Sequence, residues 1–176
     1  FLGPNGAGKT TTIRLLLSLL RSDSGRIEIF GNQLTSGNRS ALSSIGALVE
    51  SPSLYGHLTG RDNLEVTRRL LGSPKARIAE VLALVELSDD ADRRVKHYSL
   101  GMRQRLALAL TLLGEPRLLI LDEPTNGLDP AGVQDFRALL RRLVAERGIT
   151  VFLSSHLLAE VEQIAGQLGV LNDGRL

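Results

Sequence analysis

The chain has no cysteine, no tryptophan and a single methionine. Without thiols it makes neither disulfides nor thiolate metal sites, which fits a reducing compartment. Aromatic residues amount to 3% of the sequence, too few to provide stacking platforms for bases. Basic residues are scattered as Arg68-Arg69, Arg93-Arg94 and Arg141-Arg142, and the formal net charge is only +2. No basic face emerges, so no nucleic acid partner is expected. Long apolar runs are missing too: residues 13–20 and 106–113 are broken by polar side chains and fall short of the ~20 needed to span a bilayer. Phe1-Leu2 leads straight into a glycine loop, a start that reads as strand and loop, so no secretory leader is expected. Both ends read as cut. Two residues of strand precede the first motif, and the chain stops on "NDGRL", a strand and turn with nothing after it.

What is there is 176 residues of ordinary globular composition, enough for one domain with a proper core. Short apolar runs are followed at once by polar residues. Phe1-Leu2 precedes "GPNGAGKT", 45–49 precedes Glu50, and 118–121 precedes Asp122-Glu123. Likewise 150–153 precedes Ser154-Ser155-His156, and 168–171 precedes Asn172-Asp173-Gly174. Near-continuous apolar runs alternating with helical patterns indicate a parallel sheet covered on both faces. In such sheets ligands bind beyond the carboxyl ends of the strands, so these polar groups are expected to converge. Ile13, Leu16, Leu17 and Leu20 repeat at helical spacing behind the glycine loop. Asp129-Pro130 reads as the cap and first residue of a helix carrying Val133, Phe136, Leu140 and Leu143. Between about 51 and 115 strand signals vanish; Thr59 is expected to cap one helix (Leu64, Leu71) and Ser73-Pro74 to start another (Ile78, Val81, Leu82, Val85).

Gly3, Pro4, Asn5, Gly6, Ala7, Gly8, Lys9 and Thr10 match G-x-x-x-x-G-K-[ST], with Thr11 next on the helix. Glycines let the backbone turn its N–H groups inward onto phosphate oxygens, and the following helix adds its positive end. Lys9 then reaches the β- and γ-phosphates, and the Thr10 hydroxyl ligates Mg²⁺. In "LLILDEPT", Asp122 ends a buried strand, where it can hold the Mg²⁺ shell. Glu123, one residue on, suits a general base for an attacking water, although an acidic pair could also merely cap a helix.

At this point the chain resembles the nucleotide-binding domain of ABC transporters over nearly its whole length. The glycine loop and "LLILDEPTNGLDP" are joined by "YSLGMRQRLALAL", which resembles the signature motif of that family; "GLD" matches its D-loop and "SSH" its switch histidine. The resemblance implies an α/β phosphate-loop NTPase, with 1–50 and 116–176 as a RecA-like core of mostly parallel sheet. Residues 51–115 would be an inserted helical subdomain carrying the signature motif. It implies ATP and Mg²⁺ as ligands and a head-to-tail dimer with a second ATPase subunit. Ser99 and Gly101 would then contact the γ-phosphate held by the partner, with Asp129 at the dimer interface. Ser99 and Asp129 also suit ordinary helix caps, and His156 an ordinary capping histidine. In the family His156 faces the γ-phosphate and the attacking water. His57 and His97 have no motif support and are expected at the surface.

The signature reads Ser-Leu-Gly-Met where Ser-Gly-Gly-Gln is usual, so Leu100 and Met102 replace a flexible glycine and a polar glutamine. Glu50 stands where the family carries a glutamine that touches Mg²⁺ and the attacking water. Unit charges ~6 Å apart interact by roughly 3 kcal/mol at an effective dielectric of ~20, so a carboxylate there needs Mg²⁺ or a proton to screen the γ-phosphate. Glu50 is either a metal-shell and catalytic residue or a solvated turn residue. The glutamate and "YSLGM" together resemble bacterial exporters of the bacitracin-resistance and lantibiotic-immunity type. This implies an ATPase that drives a membrane permease from the cytoplasmic face of the membrane. A soluble ABC ATPase acting on ribosomes or DNA is the alternative; a phosphate-loop kinase or GTPase gives no reason for 99–102 and His156. The adenine-stacking aromatic of the family would precede residue 1.

Overall fold

The computed structural model describes residues 1–35, 37–49 and 53–176, apart from the side chains of Ala159 and Glu160. The glycine loop runs into α1 (Lys9–Leu16). This helix is shorter than the leucine pattern predicts. Ser18 adopts a φ of 57°, its N–H bonds to the Leu15 carbonyl, and the Leu19 N–H reaches back to Arg14 at 2.8 Å. That left-handed stop satisfies the last carbonyls and leaves Leu19 and Leu20 exposed. A hairpin follows, β1 (Ile27–Ile29) against β2 (Asn32–Leu34), which the sequence reading did not identify. Its two-residue turn, Phe30-Gly31, has positive φ at both positions, the twist that antiparallel ribbons prefer. The Arg117 guanidinium sits 4.1 Å over the Phe30 ring.

The remaining runs make the expected parallel sheet. β3 (Ile45–Leu48) pairs with β4 (Leu118–Asp122), which pairs with β5 (Thr150–Ser154). Ile45 lies opposite Leu118, and Asp122 opposite Ser154. Leu2 bridges in parallel to both Ser155 and Val170, which sets the stem of the glycine loop beside the end of β5. The 168–171 run therefore contributes a bridge rather than a full strand. On the central strand Leu119, Ile120 and Leu121 are all buried, as a doubly covered sheet requires.

Between β3 and β4 lie α2 (Gly60–Leu71), α3 (Ala76–Leu84) and α4 (Leu100–Leu112), with no strand among the described residues there. Thr59 caps α2 in a reciprocal box with Asp62. Ser73 does not cap α3; its hydroxyl donates instead to the Leu113 carbonyl and ties the α2–α3 turn to the end of α4. Leu71, expected on the apolar face of α2, is exposed at its last turn. α5 (Pro130–Arg147) crosses from β4 to β5, and α6 (Leu158–Val161) follows. Leu48, Leu64, Leu82, Leu106, Leu121, Phe136 and Leu140 belong to one continuous apolar cluster. α4 lies directly on β3: a Cβ at Gly46 would come within 2.6 Å of the Thr111 carbonyl oxygen.

Glu86, just past α3, gathers the helices. Its carboxylate pairs with Arg142 of α5 at 2.7 Å and with Arg105 of α4, while Arg142 also donates to the Leu84 carbonyl. Arg142 and then Arg105 hold the Glu86 carboxyl below the usual carboxylate range. A carboxyl lowered in the folded state adds stability that is full above its unfolded pKa, ~4.3, and fades as pH falls toward the lowered value. Because the group is half exposed, solvent screening keeps that contribution small. Glu86→Gln should cost no more than about 1 kcal/mol at neutral pH, and the difference between the urea midpoints of the two proteins should shrink as pH falls below ~4.3.

Candidate functional site

The site begins with backbone geometry. Gly8 takes a φ of 103°, a conformation open to glycine, and directs the chain into α1, whose start carries no side-chain cap. A helix end without a capping side chain presents N–H groups suited to an anion. Ala7 is buried beneath the loop, whereas Asn5 and Thr11 are exposed. Lys9 is buried at 5% exposure, and its Nζ donates to the carbonyls of Gly3 at 2.7 Å and Pro4 at 3.2 Å. The same Nζ lies 3.2 Å from Glu123 Oε1, so the ammonium is compensated where it is least hydrated.

β4 and β5 supply the other side. Asp122 is buried, with Oδ2 accepting from the Thr10 hydroxyl at 2.7 Å and Oδ1 from the Ser154 hydroxyl at 2.5 Å. Glu123 leaves the strand with a φ of 45°. Its N–H points at Ser154, 3.0 Å from Oγ and 3.3 Å from the carbonyl oxygen. Its carboxylate spans two cations or donors, Oε1 to Lys9 and Oε2 to His156 Nδ1 at 2.8 Å. Ser155 accepts from the Leu157 N–H through its hydroxyl, a local turn that presents His156. Sequence reasoning placed Ser154 among the polar groups expected to converge but gave it no role of its own. The signal was its place two residues before His156 at the end of a strand, but nothing in the sequence says which strand lies alongside.

Ser99, Gly101 and Asp129 are not brought to this cluster. The Ser99 hydroxyl accepts from the Met102 N–H, and Asp129 Oδ1 from the Gly132 N–H, so both do cap their helices. With Leu100, Gly127 and Leu128 they line a separate cleft between the starts of α4 and α5. Glu123 and His156 line a neighbouring cleft, and Gly127 and Leu128 border both. Tyr98 anchors the signature segment: it is buried, its hydroxyl donates to the Asp90 carbonyl at 2.6 Å, and burial pushes its phenol pKa up. Met102 packs on the apolar core, whereas Leu100 is exposed. His57 and His97 are exposed, as expected. Glu50, with Ser51 and Pro52, lies outside the described residues.

The Thr10 hydroxyl and the Asp122 carboxylate are hard oxygen donors in contact, which suits a Mg²⁺ ion sharing its shell with phosphate and water. Among the described residues no group of three His, Cys, Asp or Glu side chains makes an all-protein metal cage. A divalent ion here would therefore depend on phosphate oxygens as ligands.

A glycine loop opening a helix, its lysine and threonine set against an acidic pair at the end of the adjacent sheet, defines an α/β phosphate-loop NTPase fold. The family model described as "ABC transporter" matches residues 1–126, and the chain belongs to that family. It is 49% identical to the bacitracin transport ATP-binding protein BcrA of Bacillus licheniformis, over 100% of this chain and 58% of that protein. The chain thus spans 58% of the length of that relative. Among solved structures it resembles cbiO1 from Clostridium perfringens, part of the ABC transporter complex cbiONQ, with a TM-score of 0.89 at 29% identity, covering 99% of this chain and 72% of that one. It also resembles the ATP-binding cassette MJ0796, solved as a dimer in a post-hydrolysis state with ADP and Pi: TM-score 0.81, 25% identity, covering 98% of this chain and 80% of that one.

Asp122 accepts two hydroxyl hydrogen bonds in a buried position, so its loss should be felt even without ligand. Asp122→Ala should lower stability by about 1–3 kcal/mol, read from urea unfolding without nucleotide, with Asp122→Asn losing less because its carbonyl oxygen keeps one acceptor.

Proposed function

We propose that the chain is the ATP-binding and hydrolysing part of an ABC exporter. The observation that carries this reading is the contact line from the glycine loop through Lys9 and Glu123 to His156, beside Thr10 and Asp122. Lys9 and the start of α1 would hold the β- and γ-phosphates of ATP. Thr10 and Asp122 would hold Mg²⁺, and Glu50 is assigned by its place in the sequence as a further metal-shell and catalytic residue. Bound there, Mg²⁺ neutralises phosphate charge. Water attacks the γ-phosphorus, its proton passes to the Glu123 carboxylate, and the bond to the β-phosphate oxygen breaks to release ADP and inorganic phosphate. His156, already held on Glu123, would stabilise the charge that develops on the transferred group.

The same reading assigns Ser99, Gly101 and Asp129 to the ATP held by a partner subunit. Their placement in a cleft of their own, away from Lys9, supports it, as does the dimeric form of MJ0796. Residues 51–115 would act as the helical subdomain that passes motion to a transmembrane permease, with 1–50 and 116–176 as the core. In this reading the domain sits on the inner face of the membrane through that permease; no described helix is long and apolar enough to cross a membrane. The name of the bacitracin transport relative supports export of a peptide antibiotic or similar drug.

Glu123→Gln in the full-length protein should bind ATP and persist as an ATP-bound dimer while turnover falls ~10²–10⁴-fold, whereas Lys9→Ala should lose nucleotide binding. A fully active Glu123→Gln enzyme would remove the base assignment. For Glu50, both Glu50→Gln and Glu50→Ala should shift the Mg²⁺ dependence of ATP turnover. Unchanged profiles in both would return it to a turn residue.

A further inference from the structure

Ser154 is fully buried at the end of β5, and its register partner across the parallel ladder is Asp122. A hydroxyl has one proton to donate and two lone pairs to accept with. Here the proton goes to Asp122 Oδ1 at 2.5 Å, and one lone pair takes the Glu123 N–H at 3.0 Å. One side chain therefore grips both members of the acidic pair, by the carboxylate of the first and the backbone of the second.

Two consequences follow from this geometry. With Oδ1 occupied, only Oδ2 of Asp122 faces the phosphate loop, where it now meets Thr10. The Asp122 carboxylate is thereby made a one-oxygen ligand of fixed orientation. The second concerns Glu123, which has a left-handed backbone that a non-glycine residue adopts at a cost. Its N–H is shared between the Ser154 backbone carbonyl, its ladder partner, and the Ser154 hydroxyl, and its carboxylate lies between Lys9 and His156. Ser155 does not share this duty, since its hydroxyl serves the turn at Leu157.

We propose that Ser154 is a positioning residue that couples the metal-holding Asp122 to the base Glu123, so that metal affinity and base geometry are set by one hydroxyl. The proposal rests on the reading of this site as a Mg²⁺–ATP site. Partners that orient a ligating carboxylate typically change metal affinity or activity ~10–100-fold when removed.

The test compares Ser154→Ala, Ser154→Thr and Ser154→Cys in the full-length protein. Binding of a fluorescent ADP analogue is titrated with and without Mg²⁺, alongside ATP turnover against Mg²⁺ concentration. Ser154→Ala should bind the analogue as the parent does without metal, yet need ~10–100-fold more Mg²⁺ to gain the metal-dependent part. Its kcat should fall by at least about 10-fold with KM for ATP changed less, and Ser154→Thr should restore both. A residue needed only for packing would lower the unfolding midpoint and leave the Mg²⁺ titration and the kcat-to-KM split unmoved; that result overturns the proposal. If Ser154→Ala does not fold, Ser154→Cys against Ser154→Thr decides. The weaker thiol donor should show the metal defect, and a parental Mg²⁺ titration in Ser154→Cys overturns the proposal. If the parent protein itself shows no Mg²⁺-dependent nucleotide binding, the Mg²⁺–ATP reading fails, and the proposal with it.

Discussion

The carboxylate of Asp122 is the point on which the site depends. It is buried, carries a charge that burial disfavours, and has its two oxygens satisfied by hydroxyls from opposite directions. Thr10 comes from the first turn of α1, Asp122 from the end of β4, and Ser154 from the end of β5. Three segments far apart in the chain must therefore stop at the same level. A parallel sheet arranges this, because all its strands deliver their carboxyl ends to one edge. The apolar runs of β4 and the helices packed around it make that edge rigid enough to hold a charge.

Glu123 shows what the rigidity is used for. A left-handed backbone at a glutamate costs on the order of 1–3 kcal/mol unless the surroundings over-determine it. Ser154 holds its N–H, while Lys9 and His156 hold its carboxylate. Glu123 is thus poised by three residues on two other segments, the start of α1 and the end of β5, rather than by its own chain preference. The lysine is treated likewise: two loop carbonyls and one carboxylate surround a nearly inaccessible ammonium and fix its position. The Glu86 cluster is of another kind, more exposed and joining α3, α4 and α5 where the helical segment meets α5.

Much of this was legible beforehand because the signals are local. Thr59, Ser99 and Asp129 cap helices by bonding a backbone N–H three residues ahead, which any sequence window contains. Apolar runs ending in polar groups marked the strands to within a residue. Two local features were overlooked: the hairpin of β1 and β2, whose Phe30-Gly31 turn breaks a short alternation, and the left-handed stop at Ser18 that ends α1 before its leucine pattern does. The course of 168–171 was a different matter, since a run of apolar residues does not say how much of it will find a partner.

What the sequence by itself determined is the chemistry: a phosphate loop with its lysine and threonine, an acidic pair, a histidine and helix caps, all specified by residue type and near-neighbour spacing. Tertiary structure decided which of them touch. The pairing of Asp122 with Ser154, the bridge from Lys9 to Glu123 and the separation of Ser99 from both depend on strand register and on the crossing of helices. Those are set by packing over the whole core, where each apolar residue is interchangeable with several others. No local pattern therefore encodes them.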